Sequence, residues 1–119
     1  MRNMSFMLTT QQVYAGTKDV TRRLGWAFLK ADENVMACEK CQGLKKGEHI
    51  TRIRPIHTVD TRWEPLRRML DDLEYGREEV IREGFPEMTP GEFVDMFCQH
   101  NHCTPDVLVN RIEFEYISK

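Results

Sequence analysis

The segment Gly16-Thr17-Lys18-Asp19-Val20-Thr21-Arg22-Arg23 sets a glycine, a lysine, a threonine and an arginine in a G-x-K-x-x-T-x-R spacing. If it coils helically, Lys18 and Thr21 lie three apart and share a face. An ammonium beside a hydroxyl supports two chemistries. Charged, it grips a phosphate or carbonyl oxygen. Desolvated, it gives up its proton and becomes a base that activates the hydroxyl. Four such positions match by chance in about one chain in several hundred. The competing reading is a solvated basic loop.

Charge along the chain is uneven. Residues 1–70 hold 13 Lys and Arg against 7 Asp and Glu, a net of +6, and residues 71–119 hold 4 against 12, a net of −8. The basic excess is clustered, with Arg22 and Arg23 beside Lys18 and with Lys45 and Lys46 further on. Local potential of this kind, rather than total charge, steers a polyanion. The acidic half reads as solvated helix surface. Trp26 and Phe28 follow the basic segment; aromatics beside arginines can stack on bases. Phe28 is assigned to core packing, and Trp26 is left open between core and ligand contact.

Cys38-x-x-Cys41 and Cys98-Gln-His100-Asn-His102-Cys103 offer six soft or borderline ligands. Zinc takes four, often from two short knuckles. Strand character around Cys38 would turn residues three apart to opposite sides, so no metal ligand and no cofactor is assigned. Met36, Met69, Met88 and Met96 read as core filler.

These residues need elements to hold them. Ser5–Leu8 predicts a first strand, and Gln11–Ala15 a short helix capped by Thr9 or Thr10 and stopped by Gly16. Gly16–Gly25 then reads as helix or loop. Glu33–Cys38 predicts a strand ending at Gly43, followed by the glycine-bounded turn Gly43–Gly47. His49–Val59 predicts a long strand with a bulge or edge at Pro55. Trp63, Leu66, Met69, Leu70 and Leu73 recur at helical spacing, and a second helix around Val80 and Ile81 ends at Gly84. Thr89-Pro90-Gly91-Glu92 is a capping-box pattern before the apolar stripe Phe93, Val94, Met96 and Phe97. Val107–Ile117 alternates as a half-buried strand. Strands at both ends with helices between them give an α+β fold, in which the first and last strands would pair to close a small barrel.

The order of these elements resembles the ASCH (activating signal cointegrator homology) domain, a PUA-like β-barrel family, over nearly the whole chain. The resemblance rests on an apolar strand and short helix before Gly16–Arg23, then Lys46-Gly47-Glu48-His49-Ile50. It continues with Glu64-Pro65-Leu66, Arg82-Glu83-Gly84-Phe85 ahead of a helix, and the final strand Arg111–Glu115. It implies one ASCH-like domain over 1–119, with helices around the barrel and a cleft that takes RNA, a nucleotide or a modified nucleoside. Some members of the family are amidohydrolases that deacetylate N4-acetylcytidine; others are RNA-binding or ribonucleolytic. By the resemblance, Lys18, Thr21 and Glu83 fall on the catalytic positions and Arg23 on a substrate contact. Arg22, Trp26, Lys45 and Lys46 complete the expected binding surface. A helical region at about 62–77 departs from the small amidohydrolases as an insert.

The longest apolar runs, such as Trp26–Leu29, are too short to span a bilayer. The apolar stretch at the start is too short for a signal peptide. The expectation is a cytoplasmic protein with no membrane partner. Near-neutral net charge argues against gripping long duplexes, which takes many phosphate contacts. Nucleic-acid or nucleobase recognition is the expected function, with hydrolysis of an acylated cytidine as the alternative.

Overall fold

The computed structural model describes residues 1–41 and 44–117. It is an α+β fold in which five strands form one curled sheet in the order β1-β3-β4-β5-β2. The strands are β1 (Arg2–Ser5), β2 (Val20–Arg23), β3 (Asn34–Cys38), β4 (Arg52–Pro65) and β5 (Leu108–Tyr116). The helices are α1 (Thr10–Ala15), α2 (Arg68–Asp71), α3 (Leu73–Arg82) and α4 (Pro90–Asn101). β1 joins β3 in parallel, and every other pairing is antiparallel. β4 curls because its register slips twice, around Ile53 against β3 and around Val59 against β5. Each extra residue bends the strand and sharpens its twist.

Several elements form as their residues predict. Gly16 stops α1 at a φ of 75°. Thr89 and Glu92 close a reciprocal capping box on α4. Phe93, Val94 and Phe97 are buried along it, while Met96 is half-buried. The apolar interior divides between the two faces of the sheet. Ile112 and Phe114 join the cluster of Met4, Phe6, Val35 and Ile56 on one face. Val109 joins Leu66, Met69 and the α3–α4 side chains on the other, as strand alternation requires.

Other expectations are corrected. The first strand is Arg2–Ser5 rather than Ser5–Leu8; the chain turns at Phe6 into a 3₁₀ turn over Met7–Thr9, held by Thr10 Oγ1 donating to the Phe6 carbonyl at 2.9 Å. The stretch after Gly16 is neither helix nor loop at Val20–Arg23 but a strand, because β5 supplies a full set of register partners from Glu113 to Asn110. Residues 62–65 of the expected helical insert are the end of β4, paired with β5 as far as Leu108. The spacing of Trp63 with Leu66 and Met69 therefore straddles a strand-to-helix junction, and Trp63 stays half-exposed. Phe28 is not core: it is 53 % exposed, against Trp26 and beneath the Arg2 guanidinium. The first and last strands do not pair. β1 and β2 are the two sheet edges; a side chain bridges them instead, as Arg23 Nη2 donates to the Ser5 carbonyl at 2.6 Å. The residue closing the predicted 33–43 strand segment, Gly43, lies outside the described residues. Among the described residues no helix is long and apolar enough to cross a membrane.

Gly84 fixes the approach of the N-terminal segment to the end of α3. Its φ is 99°, and a Cβ there would lie 2.9 Å from the Gln12 side chain and 3.5 Å from the Lys18 Cβ. An L-residue in that backbone region costs about 1–2 kcal/mol before any clash. Gly84→Ala is expected to lower stability by at least that amount in urea unfolding. A neutral result would show that the contact is soft.

Candidate functional site

Two dipeptides meet where the N-terminal segment crosses the end of α3. Asp19 N donates to the Arg82 carbonyl at 2.9 Å, and the Arg82 guanidinium grips both Asp19 oxygens at 3.0 and 3.1 Å. That clamp sets the neighbouring pair. Lys18 Nζ donates to Glu83 Oε1 and to the Glu83 carbonyl, each at 2.8 Å. The amine thus faces both a carboxylate and the negative end of a helix, which favours a cation there. Tyr116 Oη donates to the Lys18 carbonyl at 2.5 Å, pinning the backbone from β5. Lys18 and Glu83 are both almost wholly buried. Burial pushes the Lys18 amine below its ordinary pKa. Glu83 opposes this, and Arg23 and Arg22 add to it.

Lys18 and Glu83 line a cleft of about 510 Å³ between the two sheet edges and α4, within the size range of small-ligand pockets. Lys18, Thr21, Arg22, Arg23, Trp26 and Glu83 all border it. Lys18 and Thr21 do not share a helical face, since the segment is extended; they reach the cleft because it folds around the β2 edge. Arg23 Nε donates to Thr21 Oγ1 at 3.3 Å, and the guanidinium carbon stands 4.8 Å from the centre of the Phe6 ring. Burial lowers the Arg23 pKa to about 10, with Glu83 opposing, so it remains a cation at neutral pH. Trp26 adopts a φ of 64°, its carbonyl held by Asn110 Nδ2 at 3.0 Å.

Three expected binding residues are not free for a ligand at the cleft. The Arg22 side chain is wholly buried and engages Glu83 at 3.0 Å, Glu79 at 2.5 Å and Glu64 at 3.3 Å. Lys45 and Lys46 are exposed on the turn before β4 and do not line the cleft. Sequence reasoning missed other parts of the wall. Met7 and Leu8 from the 3₁₀ turn, Phe85, and Met96, His100 and Asn101 from α4 all line it. α4 carried a visible apolar stripe, but nothing local tells that part of a core stripe also walls a cleft.

The cysteines stand as two separate pairs. Burial, reinforced by Cys41, pushes the Cys38 thiol up to about 11. Burial and Cys103 do the same to Cys98. Among the described residues no group of three or more His, Cys, Asp or Glu side chains is arranged to hold a metal ion.

No protein-family model matches the chain, and no curated protein matches it in sequence. Two solved structures share its architecture. Protein EF3133 from Enterococcus faecalis V583, described under the family model DUF984, superposes with a TM-score of 0.59 at 16 % identity, covering 92 % of this chain and 70 % of that one. The hypothetical protein PH0355 superposes with a TM-score of 0.62 at 16 % identity, covering 98 % of this chain and 96 % of the other. The likeness shows a shared fold. Function must be argued from the site itself.

Behind the cleft, Glu79 is buried between Arg111, which grips both its oxygens at 2.5 and 3.0 Å, and Arg22. Burial alone would raise its pKa, but the two guanidinium groups win and hold it at about 2. A depressed carboxyl stabilises the fold fully above its unfolded value of 4.5 and loses that contribution as pH falls through about 2. The gap corresponds to about 3 kcal/mol. Urea titrations should show that loss between pH 5 and 2. Glu79→Gln should be less stable at pH 7 and show a shallower acid loss; an equally steep one would assign the acid sensitivity elsewhere.

Proposed function

We propose that the chain is a PUA-like module of the ASCH type whose cleft recognises a single nucleobase, offered as a modified nucleoside, a nucleotide or one residue of RNA. One observation carries the reading: a cleft of nucleoside size brings Lys18, Thr21, Arg23 and Glu83 together with Trp26 and Phe85. The aromatics suit a planar ring, while Arg23 and Lys18 suit its carbonyl or phosphate oxygens. With Arg22 committed to carboxylates, few cations are left to face the cleft, which favours a small ligand over a long polyanion. The curled sheet shared with EF3133 and PH0355 supports the fold half of the reading.

A second reading, hydrolysis of an acyl amide on the base, is favoured by the 2.8 Å Lys18–Glu83 contact. In this scheme neutral Lys18 takes the Thr21 proton as Oγ1 attacks the acyl carbonyl. The tetrahedral adduct then collapses, the C–N bond breaks, and the Lys18 ammonium returns a proton to the departing amine. Water releases the acyl group from Thr21 in the reverse sequence, and Glu83 keeps the amine oriented throughout. A lysine serving a hydroxyl nucleophile is an established variant of the triad logic. No cofactor is needed.

Incubation with N4-acetylcytidine separates the two. Hydrolysis predicts cytidine release that falls at least a hundredfold in Lys18→Ala and in Thr21→Ala. Pure recognition predicts saturable binding of the nucleoside with no product, weakened in Arg23→Ala. If neither binding nor product is observed with nucleosides, nucleotides or short RNA, the cleft does not serve a nucleobase.

A further inference from the structure

Glu83 serves two cations. Oε1 accepts from Lys18 at 2.8 Å, and Oε2 accepts from Arg22 Nη1 at 3.0 Å. All three side chains are at most 4 % exposed. Arg22 occupies a position that the G-x-K-x-x-T-x-R pattern leaves open, so the pattern alone gives it no role. We infer that Arg22 is a positioning residue for Lys18: by holding one oxygen of Glu83 it fixes the carboxylate and denies Lys18 the full counter-charge, which keeps the amine able to shed its proton. The inference rests on Lys18 being the reactive amine of the proposed site.

Charge in the cluster runs the same way. Glu83, Glu79 and Glu64 are its buried carboxylates. Against them stand Lys18 and Arg22 on Glu83, Arg22 and Arg111 on Glu79, and Arg22, Arg62 and Arg68 on Glu64. Glu113 reaches Arg111 at 3.5 Å but is shared with Arg82. The cations therefore outnumber the carboxylates that hold them. Guanidinium groups keep their protons in proteins, whereas an ammonium can release one. The groups facing Lys18 are Glu83 from the end of α3, Arg22 and Arg23 from β2, and Tyr116 from β5 through the Lys18 carbonyl. Lys18 is therefore the member of this set whose proton can be shed to relieve the cationic excess.

The Lys18 titration can be followed directly in the full chain through its Cε resonance with carbon-13-labelled lysine, assigned by Lys18→Arg. Arg22→Gln returns the whole carboxylate to Lys18 and should raise the midpoint by about one pH unit, a tenfold change in the ammonium-to-amine ratio. Arg22→Lys, which keeps the charge but not the fork, should recover part of the shift. Glu64→Gln removes another partner of Arg22, 3.3 Å away, throws Arg22 harder onto Glu83 and should move the midpoint down. If Arg22→Gln retains a native amide spectrum, its midpoint decides: a rise supports the role and an unmoved midpoint overturns it. If it does not fold, Glu64→Gln decides, with a fall supporting the role and no movement overturning it. Absence of amide turnover alongside a shifted midpoint would sink the hydrolytic scheme and leave the positioning role standing; turnover with an unmoved midpoint would do the reverse.

Discussion

Three arginines stand in one row across the sheet. Arg62 on β4 and Arg22 on β2 are both register partners of Arg111 on β5, so their side chains leave the same face side by side. Like charges directly opposite one another destabilise a sheet, and two of these three are buried. The arrangement persists because carboxylates are set among them. Glu64 comes from the same face of β4, two residues on from Arg62, and Glu79 and the neighbouring Glu83 come down from α3. Tyr75 adds its hydroxyl, donating to Glu64 at 2.8 Å and accepting from Arg62 at 2.9 Å and Arg22 at 3.2 Å. Removing one partner from such a buried set costs about 3–5 kcal/mol. The position of α3 over the sheet is thereby an electrostatic requirement as much as an apolar one.

That requirement builds the cleft. With Glu79 fixed over Arg111 and Arg22, Glu83 lies one helical turn further along and must emerge over the start of β2. Lys18 is waiting there, held by the Asp19–Arg82 clamp and by the close approach that Gly84 permits. The Lys18–Glu83 pair is the outer end of a structural network rather than an isolated couple. On the other wall, the Arg23 side chain ties β2 to the β1 edge at Ser5, which leaves the sheet open in backbone terms and keeps the two edges at cleft width.

Elements with local signals could be read from the residues. The capping box of α4 and the glycine stop of α1 each depend on neighbours within one or two turns, and each is found; β5 forms as a strand but not half-buried, since Val109 and Arg111 are buried on its second face and Leu108 is exposed. The candidate residues Lys18, Thr21, Arg23 and Glu83 do border one cleft. What the sequence concealed was set by distant partners. Val20–Arg23 is too short to show strand character without β5, and Arg22 looked like a free cation because the acids that claim it lie 42 to 61 positions away. Trp63 shares helical spacing with Leu66 only across the junction where the strand ends. Phe28 is as apolar as any core residue, and only the left-handed turn at Trp26 brings it out to the surface.

The uneven charge of the two halves takes a different meaning once the chain is folded. The basic first half and the acidic second half are not two separate faces awaiting separate partners. Arg22 binds Glu79 and Glu83, Lys18 binds Glu83, and Asp19 binds Arg82, so much of the contrast is cancelled inside the molecule. The positive potential left at the cleft comes from Arg23, which has no carboxylate within ion-pair distance among the described residues, from Lys40 on its wall, and from whatever charge Lys18 retains. A polyanion needs many phosphate contacts, and three side chains around a partly apolar hollow cannot supply them. They can hold one polar edge of one ring while aromatic walls cover its faces. The charge pattern that points to a phosphate-bearing ligand thus becomes, in three dimensions, an argument for selectivity toward something small.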